Sequence, residues 1–270
     1  MNSSRLPGKI LLPIAGRPML NWVVARAQGA GRVDQVVVAT TTSPADDAVA
    51  AHCAAHGIAV SRGPEQDVLD RYLQAARAWE AAIVVRLTAD CPLLDPVLID
   101  ATIAALLGAP PAPDQRREVL GGPGTTSPPP TGPFPFDFAA NRLPPPWARR
   151  YPIGLDVEVA SRTALERAGR EATAPHQREH VMPYLYEPVT PPRFPALLLE
   201  CQEDWGHLRW TVDTPEDHRL VETLLTRLSD PERAGWRDVL ALVQADPSLA
   251  QVNAAIHSKD YREVDRRRGQ

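Results

Sequence analysis

The first residues able to do chemistry stand at the front of the chain. Ser3-Ser4-Arg5-Leu6-Pro7-Gly8-Lys9 packs two hydroxyls, two cations and a glycine into seven positions. Such a loop can aim backbone amides at an anion while Arg5 and Lys9 neutralise it, and Gly8 lets the backbone come close. Far downstream, Asp90 lies in Thr88-Ala89-Asp90-Cys91-Pro92, just past a strand predicted over residues 82–87. Asp213 follows a strand predicted over residues 208–211 and precedes Thr214-Pro215-Glu216-Asp217. Carboxylates outside the carboxyl ends of parallel strands suit a hard cation such as Mg²⁺, which takes one or two carboxylates plus substrate phosphates. Each feature has a plainer reading. The loop could be an exposed basic tail, and Asp90 a turn or helix cap. Asp213 could be part of a cap, although Thr214 can fill that role and leave Asp213 free. Together they describe a site for a magnesium-bound nucleotide.

Other groups carry less. His52 and His56 sit at i, i+4 on one predicted helix face with Cys53 between them, but no third ligand is in view. A solvated helix face is the preferred reading. His180, in Arg178-Glu179-His180, is placed to touch a substrate or to support packing. Asp156 and Glu158 could orient a sugar or meet Arg149 and Arg150. Nothing resembles a Ser-His-Asp nucleophile arrangement.

The elements that must position these groups alternate in type. Helices are predicted from Pro18 to Gly29, from a Ser43 cap to about Gly57, over residues 66–79, and from Asp95 to about Leu107. Between them lie β-branched strands at residues 35–40, 58–61 and 82–87. This alternation implies βαβ units and a mostly parallel sheet in an α/β fold. Residues 108–135 are rich in proline and glycine, and read as a disordered surface excursion of no obvious role. Order resumes at 136–141. Residues 155–159 read as a strand with Asp156 and Glu158 on one face. Helices follow after Ser161 and over 176–186, then strands at 196–199 and 208–210. Thr214 caps a helix to about Leu228, and residues 235–243 form a last helix before a charged tail. The expected organisation is one domain over residues 1–230, then a C-terminal helix and tail over 231–270. The 270 residues carry a net charge of −4, which gives no footprint of a nucleic-acid binder. No apolar run is long enough to span a bilayer and no signal peptide precedes the loop, so a cytoplasmic protein is expected. Cys53, Cys91 and Cys201 imply neither disulfides nor a zinc site.

In combination the motifs resemble the SpsF-type cytidylyltransferases, named for spore-coat polysaccharide biosynthesis and similar to the acylneuraminate and KDO cytidylyltransferases. The resemblance rests on the Ser3–Lys9 loop, Val37-Val38-Ala39-Thr40-Thr41, Arg62-Gly63 with Asp67-Val68-Leu69-Asp70-Arg71-Tyr72, and Arg86-Leu87-Thr88-Ala89-Asp90-Cys91-Pro92-Leu93. It continues in Gly154-Leu155-Asp156-Val157-Glu158-Val159, Arg178-Glu179-His180-Val181 and Leu208-Arg209-Trp210-Thr211-Val212-Asp213-Thr214-Pro215-Glu216-Asp217. It implies a Rossmann-like α/β/α sandwich of the nucleotide-diphospho-sugar transferase type. The implied reaction joins CMP from CTP to a sugar or sugar acid and releases pyrophosphate. The same resemblance implies that Ser4, Arg5, Gly8 and Lys9 serve the triphosphate and that Asp90 and Asp213 hold Mg²⁺. Ala39, Thr40, Arg62 and Asp67 would lie on the cytidine side. Asp156, Glu158, Glu179 and His180 would line the sugar side. A homodimer is compatible with it; a nucleic-acid or membrane partner is not expected. The family's loop is normally preceded by a strand, and nothing before Ser3 can supply one. A sheet lacking its first strand, with unpaired backbone on both neighbours, is therefore expected. That expectation keeps two alternatives open: a true start that lies upstream, or a pseudoenzyme that retains the fold as a binding module; the alternative among enzymes is a glycosyltransferase of the related GT-A fold.

Overall fold

In a computed structural model, the structure describes residues 6, 8–120, 127–144, 149–257 and 262. The chain begins with a tight turn at Lys9–Leu11 and a two-residue hairpin, β1 (Pro13–Ile14) and β2 (Arg17–Pro18). Helix α1 (Met19–Gln28) leads to β3 (Val37–Thr41), α2 (Asp47–Ala55), β4 (Ala59–Gly63), α3 (Val68–Ala78), β5 (Ile83–Arg86) and α4 (Pro96–Leu106). Then come β6 (Gln115–Val119), β7 (Phe138–Ala140), β8 (Glu158–Ser161), α5 (Arg162–Glu171), α6 (Pro175–His180), α7 (Pro183–Tyr186) and β9 (Ala196–Cys201). Helices α8 (Pro215–Arg227), α9 (Trp236–Ala245) and α10 (Ser248–Gln251) complete the described order.

A five-stranded sheet runs β5-β8-β7-β9-β6, and β3 with β4 form a separate parallel pair. Side chains of β7, β8 and β9 alternate between the two faces, and both faces are buried. Val159, Leu197 and Leu199 point into one core with Ile99 and Ile103 of α4. Ala160 and Leu198 point into the opposite core with Leu69 of α3 and Leu165 of α5. The three-layer α/β/α arrangement is the expected one, but the main sheet is not mostly parallel: β5–β8, β7–β8 and β6–β9 pair antiparallel and only β7–β9 pairs parallel. A third core surrounds Trp210 and Tyr151 and takes the apolar stripes of α8 and α9.

Between β3 and β5 no strand lies among the described residues. Their facing edges flank a cavity of about 720 Å³, lined by Val36 and Val38 on one side and Val84 and Val85 on the other. The β3–β4 pair is held instead by side chains: Leu20 and Val24 of α1 pack with Val38, Val60 and Val49. That is the gap the sequence leads one to expect.

Several local expectations are corrected. The stretch 108–135 is not without structure: Gln115–Val119 pairs antiparallel with β9 at the sheet edge, where exposed arginines and a glutamate can face water. Residues 121–126 of that stretch lie outside the described set. The helix expected over 176–186 is two short ones, broken at Val181, whose φ of 73° cannot continue a helix, with Pro183 restarting it. The strand near Glu158 starts at Glu158, so Asp156 lies in the preceding loop. Residues 208–210 make only an isolated bridge, Ile153 to Arg209. The last described helix is α10, not the one near 235–243. Ser43 makes no capping hydrogen bond.

The bridge depends on Gly154. Its φ is 108°, and a Cβ there would sit 2.6 Å from the Thr211 backbone nitrogen. Both the left-handed backbone and the close approach exclude a side chain. Gly154→Ala should cost about 3 kcal/mol, combining backbone strain and overpacking against main chain that cannot retreat. Thermal denaturation should show a midpoint lowered by about 6 °C or more; an unchanged midpoint would mean this contact is not needed.

Candidate functional site

The site forms where three distant parts of the chain meet. Gly8, with φ 69°, turns the backbone into the Lys9–Leu11 turn, and the Leu11 amide donates to the Gly8 carbonyl at 3.0 Å. Lys9 thereby reaches over the carboxyl end of β5. Its Nζ lies 2.7 Å from Asp90 Oδ2, 2.7 Å from Asp213 Oδ1 and 3.0 Å from the Val212 carbonyl oxygen. Burial opposes the ammonium charge, but the two carboxylates outweigh it and raise the Lys9 pKa. Ser4 and Arg5 lie outside the described residues.

Asp213 is not free, as the sequence suggested, but held on both oxygens. While Oδ1 meets Lys9, Oδ2 accepts from Arg209 Nη2 at 2.7 Å. Arg209 is in turn fixed by Asp217, whose fully buried carboxylate accepts from Arg209 Nε, the Asp213 and Thr214 amides and Asn253 Nδ2. Thr214 does cap α8, taking the Asp217 amide. The strand-end backbone is tied to Asp90 as well: the Val212 amide donates to the Asp90 carbonyl at 2.8 Å. Sequence reading gave Asp217 only a place in the cap. Its position three residues past Thr214 was the available signal; Asn253 gave none.

Beside Asp90 lies a second charged group. Asn141 grips the 155–157 loop from both sides, donating to the Leu155 carbonyl at 2.6 Å and accepting from the Val157 amide at 2.8 Å. Asp156 is thereby placed against Arg149 and, at 2.9 Å, Arg142 Nε. Glu158 pairs with Arg86 across the β5–β8 register. Arg149 is therefore a partner of Asp156, whereas Arg150 is spent on the Cys201 and Gln202 carbonyls. Burial raises the pKa of the Cys91 thiol, and the charges of Asp90 and Asp156 push it further, which marks the closeness of the two groups.

Of the residues expected near a base, Ala39 and Thr40 lie in β3 and Arg62 in β4. The Thr40 hydroxyl donates to Asp46 at 2.9 Å, and Arg62 donates to the Thr41 and Ser43 carbonyls and to Asp47. Asp67 caps α3 by accepting the Asp70 amide and pairs with Arg178 of α6. Glu179 and His180 end α6. His52 contacts Asn21 Oδ1 at 2.6 Å, and no group of three metal-ligating side chains occurs among the described residues.

Asp156 permits a test by pH. Burial alone would raise its pKa, but Arg142 and Arg149 lower it below the ordinary carboxylate value of about 3.9. A group with a lowered folded pKa adds stability that is fully present above its unfolded value and lost as the pH falls through the folded one. Asp156→Asn should therefore cost about 3 kcal/mol at pH 7, as expected for breaking a buried ion pair. The gap from wild type should narrow below about pH 4. Urea denaturation at both pH values checks this; a gap that is constant with pH would exclude an ionised Asp156 as its source.

Comparison with known proteins agrees with this geometry. The sequence matches the cytidylyltransferase family over residues 1–207. It is 27% identical to the spore coat polysaccharide biosynthesis protein SpsF of Bacillus subtilis, over 93% of both chains. It is 44% identical to a 3-deoxy-manno-octulosonate cytidylyltransferase of Anaeromyxobacter sp. strain K, over 83% of this chain and 93% of that one. The solved structure of a cytidylyltransferase from Leptospira borgpetersenii superposes with a TM-score of 0.77 at 28% identity, over 96% of this chain and 95% of that one. Among the described residues no helix is long and apolar enough to cross a membrane. By sequence and by fold, the chain belongs to the cytidylyltransferase family.

Proposed function

We propose that this chain transfers CMP from CTP to a sugar acid, with release of pyrophosphate, for the building of a surface polysaccharide. The observation that supports this reading most is Lys9 Nζ held between Asp90 and Asp213 at the carboxyl end of β5. A cation already sits between two carboxylates and a backbone carbonyl oxygen, all hard oxygen donors. That donor set fits a divalent cation such as Mg²⁺, so Asp90 and Asp213 are the residues that would hold it. When bound, it would neutralise phosphate charge as the reaction proceeds. The ammonium of Lys9 would then turn to the phosphates, joined by Ser4 and Arg5 and by the backbone after Gly8.

The chemistry needs no protein nucleophile. An acceptor hydroxyl oxygen attacks the α-phosphorus in line, the bond from that phosphorus to the bridging oxygen breaks, and pyrophosphate leaves. The residues contribute position and charge. Arg209 keeps Asp213 aimed, and Asp217 keeps Arg209 aimed. Ala39, Thr40, Arg62 and Asp67 are assigned to the cytidine side, with Thr40 and Arg62 shaping the β3–β4 edge through their internal hydrogen bonds. Asp156, Glu158, Glu179 and His180 are assigned to the acceptor side.

The test is a thermal-shift titration with CTP, with and without Mg²⁺. Ligand at 100 times its Kd adds about 2.7 kcal/mol of stability, so a rise of roughly 5 °C or more is expected with both present. Asp90→Ala should abolish the magnesium-dependent part. Asp90→Ala and Lys9→Ala should each lower the rate of pyrophosphate release at least about 100-fold while leaving the unliganded fold intact. A melt indifferent to CTP in the presence of Mg²⁺, or full activity in either variant, would overturn the reading.

A further inference from the structure

The three N–H donors of the Lys9 ammonium meet three oxygens: Asp90 Oδ2 at 2.7 Å, Asp213 Oδ1 at 2.7 Å and the Val212 carbonyl oxygen at 3.0 Å. No donor is left over for a phosphate. Those oxygens keep their places by other means. Asp90 Oδ1 accepts from the Cys91 thiol at 3.6 Å, and Asp213 Oδ2 accepts from Arg209 at 2.7 Å. The Val212 amide and the Thr211 hydroxyl both donate to the Asp90 carbonyl, at 2.8 and 3.1 Å, which ties the two segments together. The oxygen set therefore belongs to the segments after β5 and before α8, while Lys9 comes from the separate turn at the front of the chain. The residue type matters too. The chain has 29 lysines and arginines, and only two of them are lysines, Lys9 and Lys259. An arginine brings a broad planar fork; a lysine brings a compact point charge on a flexible stem. Here the compact cation is the one that fits among three converging hard oxygens, as a metal ion does.

We propose that Lys9 is a built-in occupant of the divalent-cation position in the nucleotide-free protein, so that this position opens to a metal only when a nucleotide's phosphates draw the ammonium away. The proposal rests on the cytidylyltransferase reading and adds to it the order in which the site fills. Its basis is charge. All three side chains are largely buried. With Lys9 in place, a dication at the same oxygens stands directly against an ammonium, where repulsion is weakly screened. With neither cation present, Asp90 and Asp213 face each other with like charge. A cation is thus required there in every state, and there is room for one. A triphosphate changes the balance. Its oxygens offer Lys9 another set of acceptors, and they bring the negative charge that an added dication cancels. A free metal ion offers Lys9 no such acceptors.

The experiment follows metal binding and Lys9 apart from turnover. Mn²⁺ is the probe, its unbound fraction read by electron paramagnetic resonance with no nucleotide present. Lys9→Met, which keeps the length of the side chain and loses the charge, should bind Mn²⁺ at least about 10-fold more tightly than wild type, the effect of removing one contacting charge. The double variant Lys9→Met with Asp90→Asn should lose that gain. Arg233→Met, at a side chain 89% exposed, should show none of it. Without metal, Lys9→Met should melt below wild type; Mn²⁺ should raise its melting temperature and leave that of wild type unmoved. Because the chain has only two lysines, lysine labelled with ¹³C at Cε gives two signals in the wild-type protein. The ammonium can then be followed even where Lys9→Met does not fold. The Lys9 signal should ignore Mg²⁺ alone and shift when CTP and Mg²⁺ are added together, with the Lys259 signal as reference. Equal Mn²⁺ affinity in wild type and a folded Lys9→Met, or a Lys9 signal displaced by Mg²⁺ alone, would overturn the proposal while the cytidylyltransferase reading stands. Failure of CTP to bind wild type would overturn both.

Discussion

The contact on which the molecule depends is the ammonium of Lys9 between Asp90 and Asp213. Two carboxylates converging on one atom repel each other, and in a partly buried place that repulsion is only weakly screened. Lys9 offsets it at one end, and Arg209 offsets it at the far oxygen of Asp213. The arrangement therefore joins the chain's front loop, the end of β5 and the segment before α8 in one balanced charge group. Asp217 and Asn253 extend that group into α8 and the residues after α10. A change in any of these side chains reaches the site through charge, although only Lys9, Asp90 and Asp213 stand at its centre.

The sheet explains why charge and backbone carry so much of the positioning. On one side, β5-β8-β7-β9-β6 is a continuous hydrogen-bonded ladder with apolar layers above and below. On the other side, β3 and β4 pair only with each other, and the cavity of about 720 Å³ separates β3 from β5. The residues assigned to cytidine thus stand on a unit attached through α1 and α3 packing. Of those assigned to the phosphates and acceptor, Glu158 lies in β8 and Asp90 follows β5, while Lys9 lies in the first turn, Asp156 and Asp213 in loops, and Glu179 and His180 at the end of α6.

The elements with strong local signals were legible in the sequence. The β-branched runs gave β3 and β5, the Ser161 and Thr214 caps gave α5 and α8, and strand-end placement brought Asp90 and Asp213 together. What escaped was set by partners far along the chain. Gln115–Val119 carries two arginines and a glutamate with no apolar alternation, and is a strand because β9 offers it an edge. The break at Val181 has no glycine to announce it. Asp156 and Glu158 could be read as orienting a sugar or as meeting Arg149 and Arg150; Arg149 does meet Asp156, while Arg142 and Arg86, which no local signal announced, supply the other pairings.

Those pairings carry a physical lesson about the site. A carboxylate one step from a nucleotide's phosphates is a liability, since it repels the substrate it borders. Here each such carboxylate is covered by a cation of the chain: Asp90 and Asp213 by Lys9, Asp156 by Arg142 and Arg149, Glu158 by Arg86. The acids then serve to hold cations in place at fixed angles, as an ionised side chain alone in a half-buried pocket could not be held. Cations held in this way are the groups that phosphate and carboxylate oxygens require.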